Sequence, residues 1–224
     1  MFKNRFKNKL KSSPIIAGVL GLSVLYSGFA QADTFEVTIT NATAGQVITP
    51  PVSFTHNSNV SLFQLGQAAP SYLIPLAEDG DSSGFAGADS LADVSALYMA
   101  TAGIPPGSSQ TFTIETTSAH PLISVAAMFA STNDAFVAIH NQQLDFGFDQ
   151  HNYMANVYDA GSERNSEDCQ FIPGPPCGNA GVRDTTGAEG FVHVHNGIHG
   201  VSSLAAQTYS WHNPGAVISI KRTQ

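Results

Sequence analysis

Basic residues are scarce in this chain once its first 32 residues are set aside. Lys3, Arg5, Lys7, Lys9 and Lys11 crowd the N-terminus. Beyond residue 32, only Arg164, Arg183, Lys221 and Arg222 remain against all 17 acids, a net charge of −13 over 192 residues. Such a surface repels phosphate backbones and anionic lipid, which argues against nucleic-acid binding and favours cations or basic partners. Cysteine is nearly absent too. Cys169 and Cys177 are the two in the chain, and a C-x7-C spacing is not by itself a zinc pattern. In an oxidising compartment the two are expected to form a disulfide closing a short, proline-stiffened loop, which leaves no free thiol for catalysis. The signatures G-x-S-x-G, H-E-x-x-H, Walker A and the dinucleotide fingerprint are all missing.

Long apolar runs are equally rare. Pro14–Phe29 is the single stretch of that kind; it follows the basic N-terminus and precedes Ala30-Gln31-Ala32, the small-x-small pattern that signal peptidase cuts after. Residues 1–32 are therefore expected to be a signal peptide cut after Ala32, and the product to be periplasmic or secreted with no membrane span. The rest shows no internal repeat and no linker, so residues 33–224 are read as one domain, long enough to bury a core.

Within that domain the hydrophobic pattern is that of short strands. Phe35–Thr40 and Thr111–Thr116 alternate apolar and polar residues, Leu122–Phe129 reads as a more fully buried strand, and Phe136–Ile139, Phe191–His195 and Ala216–Lys221 continue the series. Val47–Thr55, interrupted by Pro50-Pro51, is expected to be a broken strand or an edge. Helical spacing appears between Ala68 and Glu78, provided Pro75 falls in the first turn, and a further helical turn is expected within Ala88–Ala100. The expected fold is all-β, an antiparallel sandwich with one or two short helices in its loops.

Two groups of residues carry chemistry. Asp159, Glu163, Glu167 and Asp168 place four carboxylates within ten residues, with Arg164 among them. Gly161 and Ser162 put this stretch on a loop. Crowded carboxylates are either solvated or gathered around a hard cation such as calcium, which takes many oxygen ligands. Glu78-Asp79 and Asp134, at the ends of other elements, are the acids a sandwich end could add to them. The second group is His193-Val194-His195-Asn196-Gly197-Ile198-His199. Alternation puts His193 and His195 on one strand face, and His199 could close a three-histidine site for zinc or copper. The alternative is that these rings hydrogen-bond to loop backbone or to acids such as Asp184 or Glu189.

The order of segments resembles the spondin N-terminal domain family, found in animal extracellular proteins and in secreted bacterial ones. The resemblance runs from about Phe35 to Arg222. It rests on Ala77-Glu78-Asp79-Gly80, on Met128 through Thr132-Asn133-Asp134 to Val137, on Tyr158-Asp159-Ala160-Gly161-Ser162-Glu163, and on Trp211, Pro214 and the strand from Ala216 to Arg222. It implies a C2-like sandwich that binds calcium at one end, with Asp134, Asp159 and Glu163 as expected ligands and Glu78 as a further candidate. This chain departs from the animal domains in carrying Glu163 where they have Asp, in placing Arg164 at the rim, and in its histidine segment. The resemblance thus implies a secreted or periplasmic calcium-binding module for adhesion, whose partner is a protein or another extracellular surface component. The competing expectation is a copper- or zinc-dependent enzyme or metal-binding protein built on His193, His195 and His199.

Overall fold

The structure, a computed structural model, describes residues 32–144 and 147–224. The expected signal peptide, apart from Ala32, lies outside the described residues. Nine strands form the framework: β1 (Asp33–Asn41), β2 (Val52–His56), β3 (Val94–Met99), β4 (Ser109–Thr116), β5 (Leu122–Met128), β6 (Ala135–Gln143), β7 (Gln150–Asp159), β8 (His193–Val194) and β9 (Ala216–Arg222). Two short helices interrupt them, α1 (Leu73–Asp79) and α2 (Ala206–Tyr209). The strand order is β3-β2-β5-β6-β7-β9-β1-β4, with β8 added beside β7, and every pairing among the described residues is antiparallel.

β7 turns this ribbon of strands into a sandwich. Its first half, Gln150–Ala155, pairs with β9, and its second half, Asn156–Asp159, pairs with β6. The sheet thus folds over at β7 into two layers, and β3 and β4 approach each other on the far side, nearly closing the structure. Alternation fills the space between the layers. Phe35, Val37 and Ile39 of β1 face inward with Phe112 and Ile114 of β4 and Ile218 and Ile220 of β9, against Ile123, Val125, Val137, Ile139 and Val157 of the other layer. On the opposite face of β1, Thr38 and Thr40 bond outward to Thr111 and Ser109, each at 2.8 Å.

The β2–β5–β6 layer is buried on both sides. Its outer face carries Phe54, Ala126, Phe136 and Tyr158, covered by Leu62, Phe63, Phe85 and by Leu73, Leu76 and Ala77 of α1. Two-sided burial explains the continuous apolar character of Leu122–Phe129. Of the two alternatives expected for Val47–Thr55 the structure has the broken strand: Ile48 bridges to Ile104 and Phe129, Pro50-Pro51 interrupt, and Val52–His56 resumes inside the sheet between β3 and β5, not at an edge. Pro75 is the third residue of α1, where no backbone donor is needed, and Gly80 ends the helix in the left-handed region at φ 70°. The helical turn expected within Ala88–Ala100 is the 3₁₀ turn Ala88–Ser90, after which the chain becomes β3. Phe191–His195 pairs as a strand only over His193–Val194.

Cys169 and Cys177 form a disulfide, and no described cysteine is free. No described helix is long and apolar enough to cross a membrane.

Candidate metal centre at one end of the sandwich

The β6–β7 register builds the site. Ala135 pairs with Asp159, so Asp134, just before β6, and Asp159, at the end of β7, reach the same end of the sandwich. The Asp134 carbonyl accepts from the Ala160 amide at 3.1 Å. The turn that presents Asp134 is fixed from within: the Thr132 hydroxyl donates to the Phe129 carbonyl (2.6 Å) and accepts from the Ala135 amide (3.1 Å). After β7 the chain reverses at Gly161, whose φ of +67° is left-handed. A Cβ there would stand 2.3 Å from the Phe191 carbonyl oxygen, so glycine is required on two grounds.

That reversal points the loop's amides back at the acids. Asp134 Oδ2 accepts from the Ser162 and Glu163 amides at 2.8 and 3.0 Å, and Asp159 Oδ1 accepts from the Gly161 amide at 2.7 Å. Asp159 Oδ2 takes a 2.6 Å bond from the Asn165 side chain. Glu163 accepts from the Asp184 amide at 3.1 Å. Asp134, Asp159 and Glu163 are all buried, as is Glu78 at the end of α1. Asp134 Oδ1 is buried with no hydrogen-bond partner.

Burial among other acids makes these groups resist ionisation. Desolvation, reinforced by the neighbouring Asp159 charge, pushes Asp134 up to about 7. Desolvation, with Glu78 adding repulsion, pushes Glu163 up to about 8. Asp159 and Glu78 are also raised, in each case chiefly by burial. The protein's own cation here is Arg183, whose guanidinium pairs with Glu78 through Nε and with Asp79 through Nη2 at 2.8 Å. It meets the outer end of the row; no described arginine or lysine pairs with Asp134 or Asp159, and the His193 ring, 3.6 Å from Asp159 Oδ1, is the nearer basic group there.

The remaining acids of the loop have separate tasks. Glu167 is buried and binds the amides of His199 (2.6 Å) and Val201 (2.8 Å), anchoring the following loop. Asp168 accepts from the Gln170 amide at 3.0 Å, capping the turn that carries Cys169. The Arg164 side chain is exposed.

The histidines line an adjoining cleft of about 410 Å³, with Asp159, Asn133, Asn165, Glu167 and Glu189 in its walls. His193 and His195 do not act alike. His195 Nδ1 accepts from the Gly197 amide at 2.9 Å, so its proton lies on Nε2, which faces Asn165 Oδ1 at 3.1 Å. Burial lowers His195 to about 3, keeping it neutral, and its ring packs on Trp211 with centroids 5.1 Å apart. His193 Nδ1 lies 3.1 Å from the Val194 carbonyl, while Nε2 is buried without a hydrogen-bond partner, 3.6 Å from Asp159 Oδ1. The His199 side chain lines the cleft. Among the described residues, Asp159, Glu189 and His193 have donor atoms all within 4.8 Å of one another. Asp134, Glu163 and Glu78 stand beside that set, and His195 and His199 are outside it.

Sequence reasoning did not single out Arg183 as the counter-ion of Glu78, Asn165 as the link between His195 and Asp159, or Glu189 as the neighbour of Asp159. Glu189, four residues before His193 on a glycine-rich stretch, carried some signal; Asn165 and Arg183 carried none, because only folding brings them to the acids. No protein-family model matches the chain, and no curated protein matches it.

Proposed function

We propose that the protein is an extracytoplasmic β-sandwich module that binds calcium structurally at the Asp134–Asp159–Glu163 end and associates with a partner outside the cell. The observation that carries this reading is the buried, unpartnered Asp134 Oδ1 beside Asp159 and Glu163, none of which pairs with a described arginine or lysine. An anionic oxygen in that position costs several kcal/mol unless it is protonated or meets a cation. The donors on offer are oxygens, which suits a hard ion that accepts carboxylates, carbonyls and water in irregular geometry. Asp134, Asp159 and Glu163 would hold it, with Glu78 reaching it if Arg183 yields. The ion would neutralise the row and fix the loop after β7.

The disulfide and the basic-apolar-A-x-A leader support an address outside the cytoplasm. The partner, a protein or other surface component met in adhesion, rests on the resemblance to spondin N-terminal domains. Fold alone does not specify a partner.

Thermal melting of residues 33–224, in chelator and then with excess calcium, tests the metal. At a hundredfold excess over the dissociation constant, calcium adds about 2.7 kcal/mol, which raises Tm by roughly 5–10 °C for a domain of this size. Identical melting curves would end the calcium reading.

A further inference from the structure

The cleft beside the acid row holds a second arrangement that calcium does not explain. Its donors are Asp159 at the end of β7 and, from the stretch that enters β8, Glu189 and His193, three groups whose ligand atoms lie within 4.8 Å of one another. We infer that they form a distinct site for a first-row divalent transition metal of zinc's class, with open coordination positions facing the cleft.

The hydrogen bonding of His193 is the main argument. Its Nδ1 faces the Val194 carbonyl at 3.1 Å, and a carbonyl only accepts, so the proton sits on Nδ1. Nε2 is then left with its lone pair, without a hydrogen-bond partner and out of contact with solvent, 3.6 Å from Asp159 Oδ1. A lone pair and two carboxylates that converge are all acceptors, and a shared cation satisfies them together. A carbonyl bond to the distal nitrogen is also how metal-binding imidazoles are usually oriented.

The spacing agrees. Zinc holds nitrogen and oxygen ligands at about 2.0–2.2 Å, so tetrahedral neighbours stand roughly 3.3–3.6 Å apart. The His193–Asp159 pair already spans 3.6 Å. Glu189 is exposed and can close the remaining gap by side-chain rotation. The ligand types select the ion: an imidazole nitrogen suits zinc and its neighbours, whereas calcium takes oxygen. Three protein ligands and an open position match zinc sites that keep water or an exogenous ligand. The 410 Å³ cleft, with Asn133, Asn196 and His199 in its walls, has room for one.

His195 has a different role from the one its spacing suggests. With Nδ1 occupied by the Gly197 amide, its Nε2 proton goes to Asn165 Oδ1, which orients the Asn165 amide to donate to Asp159 Oδ2 at 2.6 Å. It is a positioning residue, acting on Asp159 through Asn165.

Asp159 is common to both sites, but Asp134 and Glu163 belong to the calcium reading alone and His193 and Glu189 to this one. Residues 33–224, purified without an affinity tag and saturated with calcium, are titrated with Zn2+ by calorimetry and with Co2+ by visible absorption. One Zn2+ per chain is expected, with the d–d bands of a low-coordinate cobalt site. Glu189→Gln and His193→Ala each weaken zinc by at least about tenfold, while His199→Ala leaves it unchanged. Glu189 is exposed, so Glu189→Gln keeps the test valid if His193→Ala misfolds. Absence of stoichiometric zinc overturns the inference, as does zinc affinity unchanged in Glu189→Gln, or zinc lost in His199→Ala but kept in His193→Ala. Asp134→Asn should bind zinc normally, and in the unsubstituted protein a failed calcium response with intact zinc binding counts against the calcium reading only.

Discussion

Asp134 illustrates how much one atom decides. One of its oxygens is well served by the Ser162 and Glu163 amides, and the other is buried with nothing to meet. Replacing the carboxylate by an amide removes the charge, keeps an acceptor for the two loop amides, and turns an –NH2 toward the neighbouring acids. Asp134→Asn is therefore expected to stabilise the metal-free protein at pH 8 by about 1–3 kcal/mol, since the burial of an unpaired charge is relieved. The same substitution should abolish the calcium-induced rise in Tm. Urea denaturation with and without calcium measures both effects. A metal-free protein destabilised by Asp134→Asn would show that the carboxylate is already compensated. The acid row was partly legible in the sequence, because Asp134, Asp159 and Glu163 lie at strand ends and on a glycine-broken loop. Arg183 was not, because its link to Glu78 and Asp79 spans over a hundred residues.

At the scale of elements, alternation exposed β1, β4 and β9, where one face meets the core and the other meets water. It missed most of β7. Gln150–Met154 is largely polar and its side chains are exposed or half-exposed, so the pairing with β9 leaves little hydrophobic pattern. Yet β7 is the strand that joins the two layers and delivers Asp159. The loop after it depends on Gly161, at φ +67° with the Phe191 carbonyl against its missing Cβ. Gly161→Ala combines left-handed strain of about 1–2 kcal/mol with a backbone collision that must push the segment around Phe191 away. A total destabilisation of at least about 2 kcal/mol is expected, together with weakened calcium and zinc binding, because the Gly161 amide holds Asp159 and Phe191 leads into His193. Chemical denaturation and metal titration of this variant check the two consequences separately. Equal stability and equal affinity would mean that the loop can reverse without glycine.

The molecule as a whole places its titratable groups at cross purposes, and its response to pH follows from their signs. Asp134, raised from 3.8 to about 7, and Glu163, raised from 4.5 to about 8, hold protons in the fold that the unfolded chain has already lost. Their contribution to stability is present at low pH and disappears as pH rises through those values. His195, lowered from 6.5 to about 3, acts in the opposite sense: its neutral form suits the fold, and stability is lost as pH falls below 6.5. His56 and His140, also lowered by burial, add to that side. Between about pH 4.5 and 6.5 the two trends offset each other. From 6.5 to about 7.5 the unfolded histidines give up their remaining protons, and above that only the carboxylates act, surrounded by Glu78, Asp159 and Glu189 with Arg183 at one end. The metal-free protein is therefore expected to lose about 1–2 kcal/mol between pH 6.5 and roughly 8.5, the carboxylate loss less the smaller histidine gain, a fall in Tm of a few degrees. Bound calcium neutralises the ionised row and should flatten this slope. Melting curves at several pH values, with chelator and with calcium, measure it directly. A metal-free Tm that stays level or rises across that interval would mean that the acids ionise freely, and the case for a cation among them would fall with it.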